Sequence, residues 1–211
     1  AAQLCAMGKF RNAGQVCISP TRFFVEAAVH DELLAAFKKH VEAVNPGNGL
    51  DASSSMGPLV AERRIDIMDG FVADAVSKGA ELLVGGGRIQ SPGSFYQPTL
   101  LGNVPATARI MTEEPFGPIA PTISFDNLDE VIERANSLPF GLAAYAFSNS
   151  PKTVRILKSE IETGMLAVNS LHVHSVETPF GGLKFSGYGY EGGIEGLDAF
   201  LATKYSSEIY N

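Results

Sequence analysis

Apolar positions along the chain alternate between two rhythms. From His30 to Val44 the residues Leu33, Leu34, Phe37, Val41 and Val44 recur at helical spacing, while Lys38, Lys39 and Glu42 fall on the opposite face. Pro46-Gly47-Asn48-Gly49 ends that helix. A second amphipathic stretch runs from about Val60 to Lys78, with Ile65, Met68, Phe71, Val72, Ala75 and Val76 facing inward. Between and after these helices lie short runs rich in β-branched and aromatic residues, the composition that suits strands. They are Arg22–Glu26, Glu81–Val84, Thr99–Val104, Ile119–Phe125, Leu142–Phe147 and Met165–Val168. Leu128–Ala135 reads as a short helix, and Pro151–Glu160 as a helix that opens on proline.

Strands separated by helices of this length predict βαβ units: an α/β fold with a largely parallel sheet and flanking helices. The last stretch breaks the rhythm. Pro179–Gly196 is glycine-rich, and Thr203–Ile209 alternates like an exposed strand that could pair with another subunit. The division expected is a nucleophile-bearing domain over 1–183, followed over 184–211 by a Gly-rich loop, a helix and an oligomerisation strand.

Composition narrows the function classes. The chain has 211 residues, so one large domain or one with part of another is expected, and 45% apolar residues suffice to bury a core. Sixteen basic against 23 acidic residues give a net charge of −7, which argues against a nucleic-acid partner. No apolar run reaches the roughly 18 residues of a membrane-spanning helix. The opening residues show no basic segment leading into an apolar one, as a secretory leader would. Two cysteines cannot build a disulfide framework, so a reducing compartment, the cytoplasm, is expected. The chain opens on Ala-Ala-Gln and runs at once into dense motif; the expectation is that the start of a longer chain is missing.

Cys17 stands out among residues that could carry chemistry. It lies in Asn12-Ala13-Gly14-Gln15-Val16-Cys17-Ile18-Ser19-Pro20, a small and polar loop where backbone N–H groups could stabilise a thiolate or an oxyanion. The competing reading is a buried structural thiol, the commoner state of cysteine, and Cys5 within Leu4-Cys5-Ala6-Met7 fits that reading. His172 and His174 would share a face if extended, but no third metal ligand is near them in sequence, and no Cys–His dyad can be assigned. Glu113-Glu114-Pro115-Phe116-Gly117-Pro118 offers paired carboxylates, either acids at a helix start or acceptors for a sugar hydroxyl. Gly187-Tyr188-Gly189-Tyr190-Glu191-Gly192 matches G-x-G-x-x-G, but Gly182–Ser186 before it is not expected to be a strand, so a dinucleotide fingerprint is not read there.

Three motifs in order resemble the aldehyde dehydrogenase superfamily: Gly14-Gln15-Val16-Cys17, Glu114-Pro115-Phe116-Gly117-Pro118 and Pro179-Phe180-Gly181-Gly182-Leu183-Lys184-Phe185-Ser186-Gly187. The resemblance covers essentially the whole chain. Lys9–Gln15 and Phe140–Tyr145 look most like the succinate-semialdehyde dehydrogenases of that superfamily. It implies that Cys17 attacks an aldehyde carbon to give a thiohemiacetal and then a thioester. It further implies that the backbone N–H of Cys17 supplies half of an oxyanion hole, and that Glu114 and Phe116 meet the nicotinamide end of NAD or NADP. For a semialdehyde substrate it points to Arg11, His174 and Ser175 at the distal carboxylate.

Members of the superfamily are more than twice this long. The resemblance therefore implies that a Rossmann domain, a general-base glutamate and an oxyanion asparagine lie outside these residues, and that the full protein is a homo-oligomer, a dimer or tetramer. The chain alone is expected to be inactive. Its alternatives are a folded module for oligomerisation without turnover and a cofactor-independent thiol esterase. Tyr190 stands where many relatives carry Arg, His174 lies five residues before the Pro-Phe-Gly-Gly segment, and Ile18-Ser19 lacks a second cysteine two residues after the nucleophile.

Overall fold

The computed structural model describes residues 1–211. Helix α1 (Ala2–Phe10) opens the chain and packs on α2 (His30–Glu42), with strand β1 (Phe23–Glu26) between them in sequence. Then follow α3 (Arg63–Ser77), β2 (Glu81–Val84), β3 (Thr99–Gly102), β4 (Ile119–Phe125) and α4 (Leu128–Asn136). The last third holds β5 (Phe140–Gly141), β6 (Ala143–Ala146), α5 (Pro151–Glu160), β7 (Met165–Val168) and β8 (Leu183–Lys184).

A four-stranded sheet in the order β1-β4-β3-β2 carries the core. β1 and β3 flank β4 in parallel, with Phe23 opposite Thr122 and Thr99 opposite Ile119. β2 runs antiparallel to β3 at the edge, with a register shift between Leu82 and Val84. The fold is thus the expected α/β arrangement, mainly parallel, with one antiparallel edge. β3 is buried at every position, which explains why its Thr-Leu-Leu-Gly run shows no alternation. Phe37 and Val41 of α2 and Ile65, Met68, Phe71 and Ala75 of α3 join Leu100, Leu101, Ile119 and Ala120 in one apolar cluster. Val76, expected inward, is turned to water at the end of α3.

Local signals set several boundaries. The Asn127 side chain accepts a hydrogen bond from the Glu130 N–H at 2.8 Å and caps α4. Ser150 caps α5 through the Thr153 N–H, with Pro151 in the first turn; both are ordinary helix starts. A second, smaller layer consists of the parallel pair β6–β7 and the antiparallel pair β5–β8. A broad cavity of about 1320 Å³ lies between this layer and the main sheet, lined by Phe23, Val25, Ala144, Tyr145 and Phe147 and open to Cys17.

The structure differs from the sequence expectations at four points. The opening residues form a helix, α1, that the sequence reading did not assign; its buried face is Ala2, Cys5, Ala6, Lys9 and Phe10, and a lysine there hides the amphipathic pattern. Leu183–Lys184 is a strand, though of two residues, paired with Phe140–Gly141. The fingerprint reading still fails, because a 3₁₀ turn at Glu195–Phe200 follows the glycines rather than an α-helix. That 3₁₀ turn also stands where a C-terminal helix was expected. Thr203–Ile209 forms no strand: residues 201–211 are exposed and have no regular structure. An alternating pattern makes a strand only where a neighbour takes up its backbone groups, and no strand of this chain does so.

Candidate active site

Cys17 is exposed and Cys5 is buried, and both are free thiols. The difference begins in the backbone. After α1 ends at Phe10, Asn12 (φ 50°), Ala13 (φ 53°) and Gly14 (φ 72°) adopt left-handed conformations in succession. Ala13 is nearly fully buried there. Left-handed non-glycine residues cost of order 1 kcal/mol each, so the surroundings must hold them. Gly14 is the one position in this run where a side chain is impossible: a Cβ would lie 2.2 Å from the Gly117 carbonyl oxygen.

Gln15 clamps the same loop to a distant segment. Its Oε1 accepts from the Val60 N–H at 2.8 Å, and its Nε2 donates to the carbonyls of Asn12 at 3.1 Å and Pro58 at 3.3 Å. Asn12 Nδ2 donates back to the Gln15 carbonyl at 2.9 Å. The Ser19 N–H bonds the Val16 carbonyl at 2.9 Å, closing the turn that presents Cys17. The Tyr145 hydroxyl donates to the Ile18 carbonyl at 2.7 Å. Burial pushes the Tyr145 phenol up to about 12, and the neighbouring Cys17 adds to the push. Burial likewise pushes the Cys5 thiol up to about 11.

The acidic turn resolves into two different carboxylates. Glu113 receives a two-pronged hydrogen bond from Arg109, both contacts 2.9 Å, which holds it below the usual carboxylate range. Arg109 in turn gives its backbone N–H to Asp74 at 2.8 Å. Glu114 is exposed and has neither a hydrogen bond nor an ion pair within the chain. No helix starts there, since β4 follows, so the helix-start reading of this pair is removed. Phe116 is 38% exposed and left-handed at φ 43°. Arg64 of α3 donates to the carbonyls of Pro115 and Phe116 and braces the turn from beneath. Through the Gly14–Gly117 contact, the thiol loop and the acidic turn meet backbone to backbone although about 100 residues separate them.

The other expected site residues are placed less closely. Arg11 is exposed, forms no ion pair, and borders a small cavity of about 70 Å³ with Val16, Ile18, Tyr145 and Leu171. His174 stacks on His172 at 5.8 Å between ring centres and meets the edge of Phe180 at 5.9 Å. Ser175 is engaged in its own turn: its N–H donates to the Thr178 hydroxyl at 2.8 Å, and that hydroxyl donates to the Ser175 carbonyl at 3.2 Å. Neither His174 nor Ser175 hydrogen-bonds or ion-pairs with Arg11; their partners are His172, Phe180 and Thr178. Tyr190 packs against Gly181, where a Cβ would meet its ring at 2.4 Å, and so seals the Pro-Phe-Gly-Gly segment. Phe180 and Glu191 exchange both backbone hydrogen bonds across the same loop.

Lys9, Arg64 and Tyr145 were not singled out by the sequence reading. Nothing in a linear pattern marks Arg64 or Tyr145, because each acts on a loop some 50 or more residues away.

A mainly parallel α/β domain that presents an exposed thiol on a left-handed loop, beside an unpaired acid, defines a class of proteins with a candidate cysteine nucleophile. The particular family follows from the match of residues 1–206 to the model of the aldehyde dehydrogenase family. The chain belongs to that family. It is 44% identical over 202 residues to 4-(hydroxymethyl)benzenesulfonate dehydrogenase of Comamonas testosteroni, covering 96% of this chain and 42% of that protein. It is 42% identical over 198 residues to the mitochondrial succinate-semialdehyde dehydrogenase of Rattus norvegicus, covering 93% of this chain and 38% of that protein. An NADP-dependent enzyme of E. coli superimposes with a TM-score of 0.93 at 36% identity, over 95% of this chain and 42% of that one. The chain thus spans about two fifths of the length of the relatives it matches.

Proposed function

We propose that the protein to which these residues belong oxidises an aldehyde, best a semialdehyde such as succinic semialdehyde, to the carboxylic acid, with Cys17 as nucleophile and NAD or NADP as oxidant. The observation that carries this reading is the Gly14–Gly117 contact, which sets the exposed thiol loop against the turn bearing Glu114 and Phe116. The turn fits a nicotinamide ribose: Glu114 is a carboxylate without a partner, able to accept from sugar hydroxyls, and Phe116 offers an exposed ring beside it. NAD(P), when bound, supplies the two-electron acceptor.

Cys17 as thiolate bonds to the aldehyde carbon, and the negative charge moves to the carbonyl oxygen. The Cys17 N–H stands ready to donate to that oxygen. Loss of two electrons and the aldehyde hydrogen leaves a thioester on Cys17. Water then cleaves the carbon–sulfur bond, releasing the acid and the thiol. Nothing within the chain hydrogen-bonds the thiol, so we assign the hydrolytic base to the longer protein and expect no turnover from the 211 residues alone.

Two features support an anionic substrate. Arg11 has a guanidinium free of any acid, on the six-residue approach to Cys17. The names of both relatives quoted above carry a charged group remote from the oxidised carbon, sulfonate in one and carboxylate in the other. The exposed Leu201, Tyr205, Ile209 and Tyr210 of the tail are the surface a second subunit would cover in a dimer or tetramer. Both thiols being free suits a reducing compartment such as the cytoplasm. No helix is long and apolar enough to cross a membrane. The test is reduction of NAD and of NADP by the full protein, with succinic semialdehyde, a sulfonated benzaldehyde and butanal compared. Equal efficiency on all three would remove the anionic-substrate reading, and full activity in Cys17→Ser would remove the mechanism.

A further inference from the structure

The Pro-Phe-Gly-Gly segment, Pro179–Gly187, has no task in the chemistry above, yet it is tied down at many points. Lys184 is the centre of these ties. Its Nζ donates to the carbonyls of Asn136 at 2.9 Å and Leu138 at 3.2 Å, and it pairs with the Glu162 carboxylate at 2.6 Å. Asn136 is the last residue of α4, so the ammonium sits on a helix C-terminus, where free carbonyls and the helix dipole favour a cation. The Asn136 side chain in turn donates to the Glu160 carbonyl at the end of α5 and accepts from the Glu162 N–H. One lysine thus joins the segment to the ends of two helices.

The backbone shows the same constraint. Lys184 is left-handed at φ 56°, a conformation that persists in a non-glycine residue only where the surroundings over-determine it. Three local ties hold it: Lys184 pairs with Phe140, the Phe185 N–H donates to the Pro139 carbonyl at 3.0 Å, and the Gly141 N–H donates to the Ser186 hydroxyl at 2.9 Å. The segment also presses onto the start of β7, since a Cβ on Gly164 would run into the Gly181 carbonyl oxygen. At its other end Phe180 pairs with Glu191 and meets the His174 ring edge-on at 5.9 Å.

We propose that Lys184 is a positioning residue for the distal end of the substrate site. By clasping Asn136, Leu138 and Glu162 it locks the Pro-Phe-Gly-Gly segment against the small layer, and so fixes where Phe180 holds the His174 ring. The proposal rests on reading His174 as part of the distal carboxylate site. An ammonium has three donors, and Lys184 has three partners, so it acts through the segment rather than on substrate.

The experiment uses the full protein and two readouts. The first is hydrogen exchange of the 178–186 peptide, followed by mass spectrometry. Lys184→Met should speed it about tenfold or more while β4 is unchanged, and Lys184→Arg, which keeps the cation, should restore most of the protection. Unchanged exchange in Lys184→Met overturns the proposal. The second readout is kinetic: Lys184→Met should raise KM for succinic semialdehyde about fivefold or more, with kcat within about twofold and butanal little affected. An unchanged KM, or equal losses on both substrates, overturns it. Glu162→Gln removes an exposed acid and leaves both carbonyl bonds, so it decides the matter if Lys184→Met does not fold. It should give a smaller change in the same direction, and no change in either readout counts against the clasp. His174→Ala separates the two readings. KM effects of Lys184→Met and His174→Ala that do not add support action through His174, and effects that add overturn it. If His174→Ala leaves KM unchanged, the distal-site reading of His174 falls, while the exchange measurement still decides the clasp.

Discussion

The Tyr145 hydroxyl donates a 2.7 Å hydrogen bond to the Ile18 carbonyl, tying β6 to the residue directly after the candidate nucleophile. The bond joins the two layers of the molecule across 127 positions of sequence. Tyr145→Phe keeps the ring and removes the donor, leaving the carbonyl unsatisfied. Stability should fall by about 1 kcal/mol, measured by urea denaturation. Iodoacetamide modification of Cys17 should change in rate while that of Cys5 does not.

The two thiols should separate cleanly by reactivity. Cys17 is exposed, whereas Cys5 is buried and its thiol is pushed up to about 11, so little of it is thiolate at neutral pH. Brief alkylation followed by peptide mass mapping should label Cys17 first. Equal labelling of Cys5 in the folded chain would contradict the assignment of Cys17 as nucleophile.

Gly14→Ala should be among the most damaging small substitutions. The position sits at φ 72°, and the added methyl would lie 2.2 Å from the Gly117 oxygen, a backbone atom that cannot rotate away. A loss of about 2 kcal/mol or more is expected, read as a lowered urea midpoint. Gly70→Ala in α3, where the nearest atom is 3.9 Å away, should be neutral or stabilising by about 0.5–1 kcal/mol.

Lys9 gives the chain a pH signature. Its amine is pulled from 10.5 to about 7 by burial, so between these values the unfolded chain binds a proton that the folded chain does not. Stability should therefore rise with pH over the window from 7 to 9, with a slope of at most about 1.4 kcal/mol per pH unit. Lys9→Met should flatten that slope and raise stability at pH 7, because an apolar chain of similar length replaces a buried amine. A slope unchanged by Lys9→Met would show that Lys9 titrates as a surface lysine.

Arg11→Leu tests substrate choice in the full enzyme. Efficiency toward succinic semialdehyde should fall by about 2–4 kcal/mol of transition-state binding, while efficiency toward butanal should hold or improve. A uniform loss on both would make Arg11 a support for the Cys17 loop.

Much was legible in the linear pattern. Ile119–Phe125, Pro151–Glu160 and Met165–Val168 occupy the ranges read from apolar runs and capping residues. Those signals are local: a strand's β-branched run, or proline after a capping serine, needs no distant neighbour to be recognised. The three motifs were equally visible, because each concentrates glycine, proline and a reactive or acidic residue within a few positions. Helix α1 was not, since Lys9 interrupts its buried face, and the tail alternation suggested a strand that no partner within the chain completes.

The sequence by itself determined the class of fold and the order of the motifs; the exposure of Cys17, against the burial of Cys5, came from the structure. Tertiary structure alone decided which acid of the Glu113–Glu114 pair is free, because Arg109 reaches Glu113 from four residues back while Arg64 holds the backbone beyond. It alone decided that Gly14 abuts Gly117, that Tyr145 reaches Ile18, and that Lys9 is buried without a partner. These are close approaches between segments tens of residues apart. Spacing along a chain carries no information about them until the sheet and helices have packed.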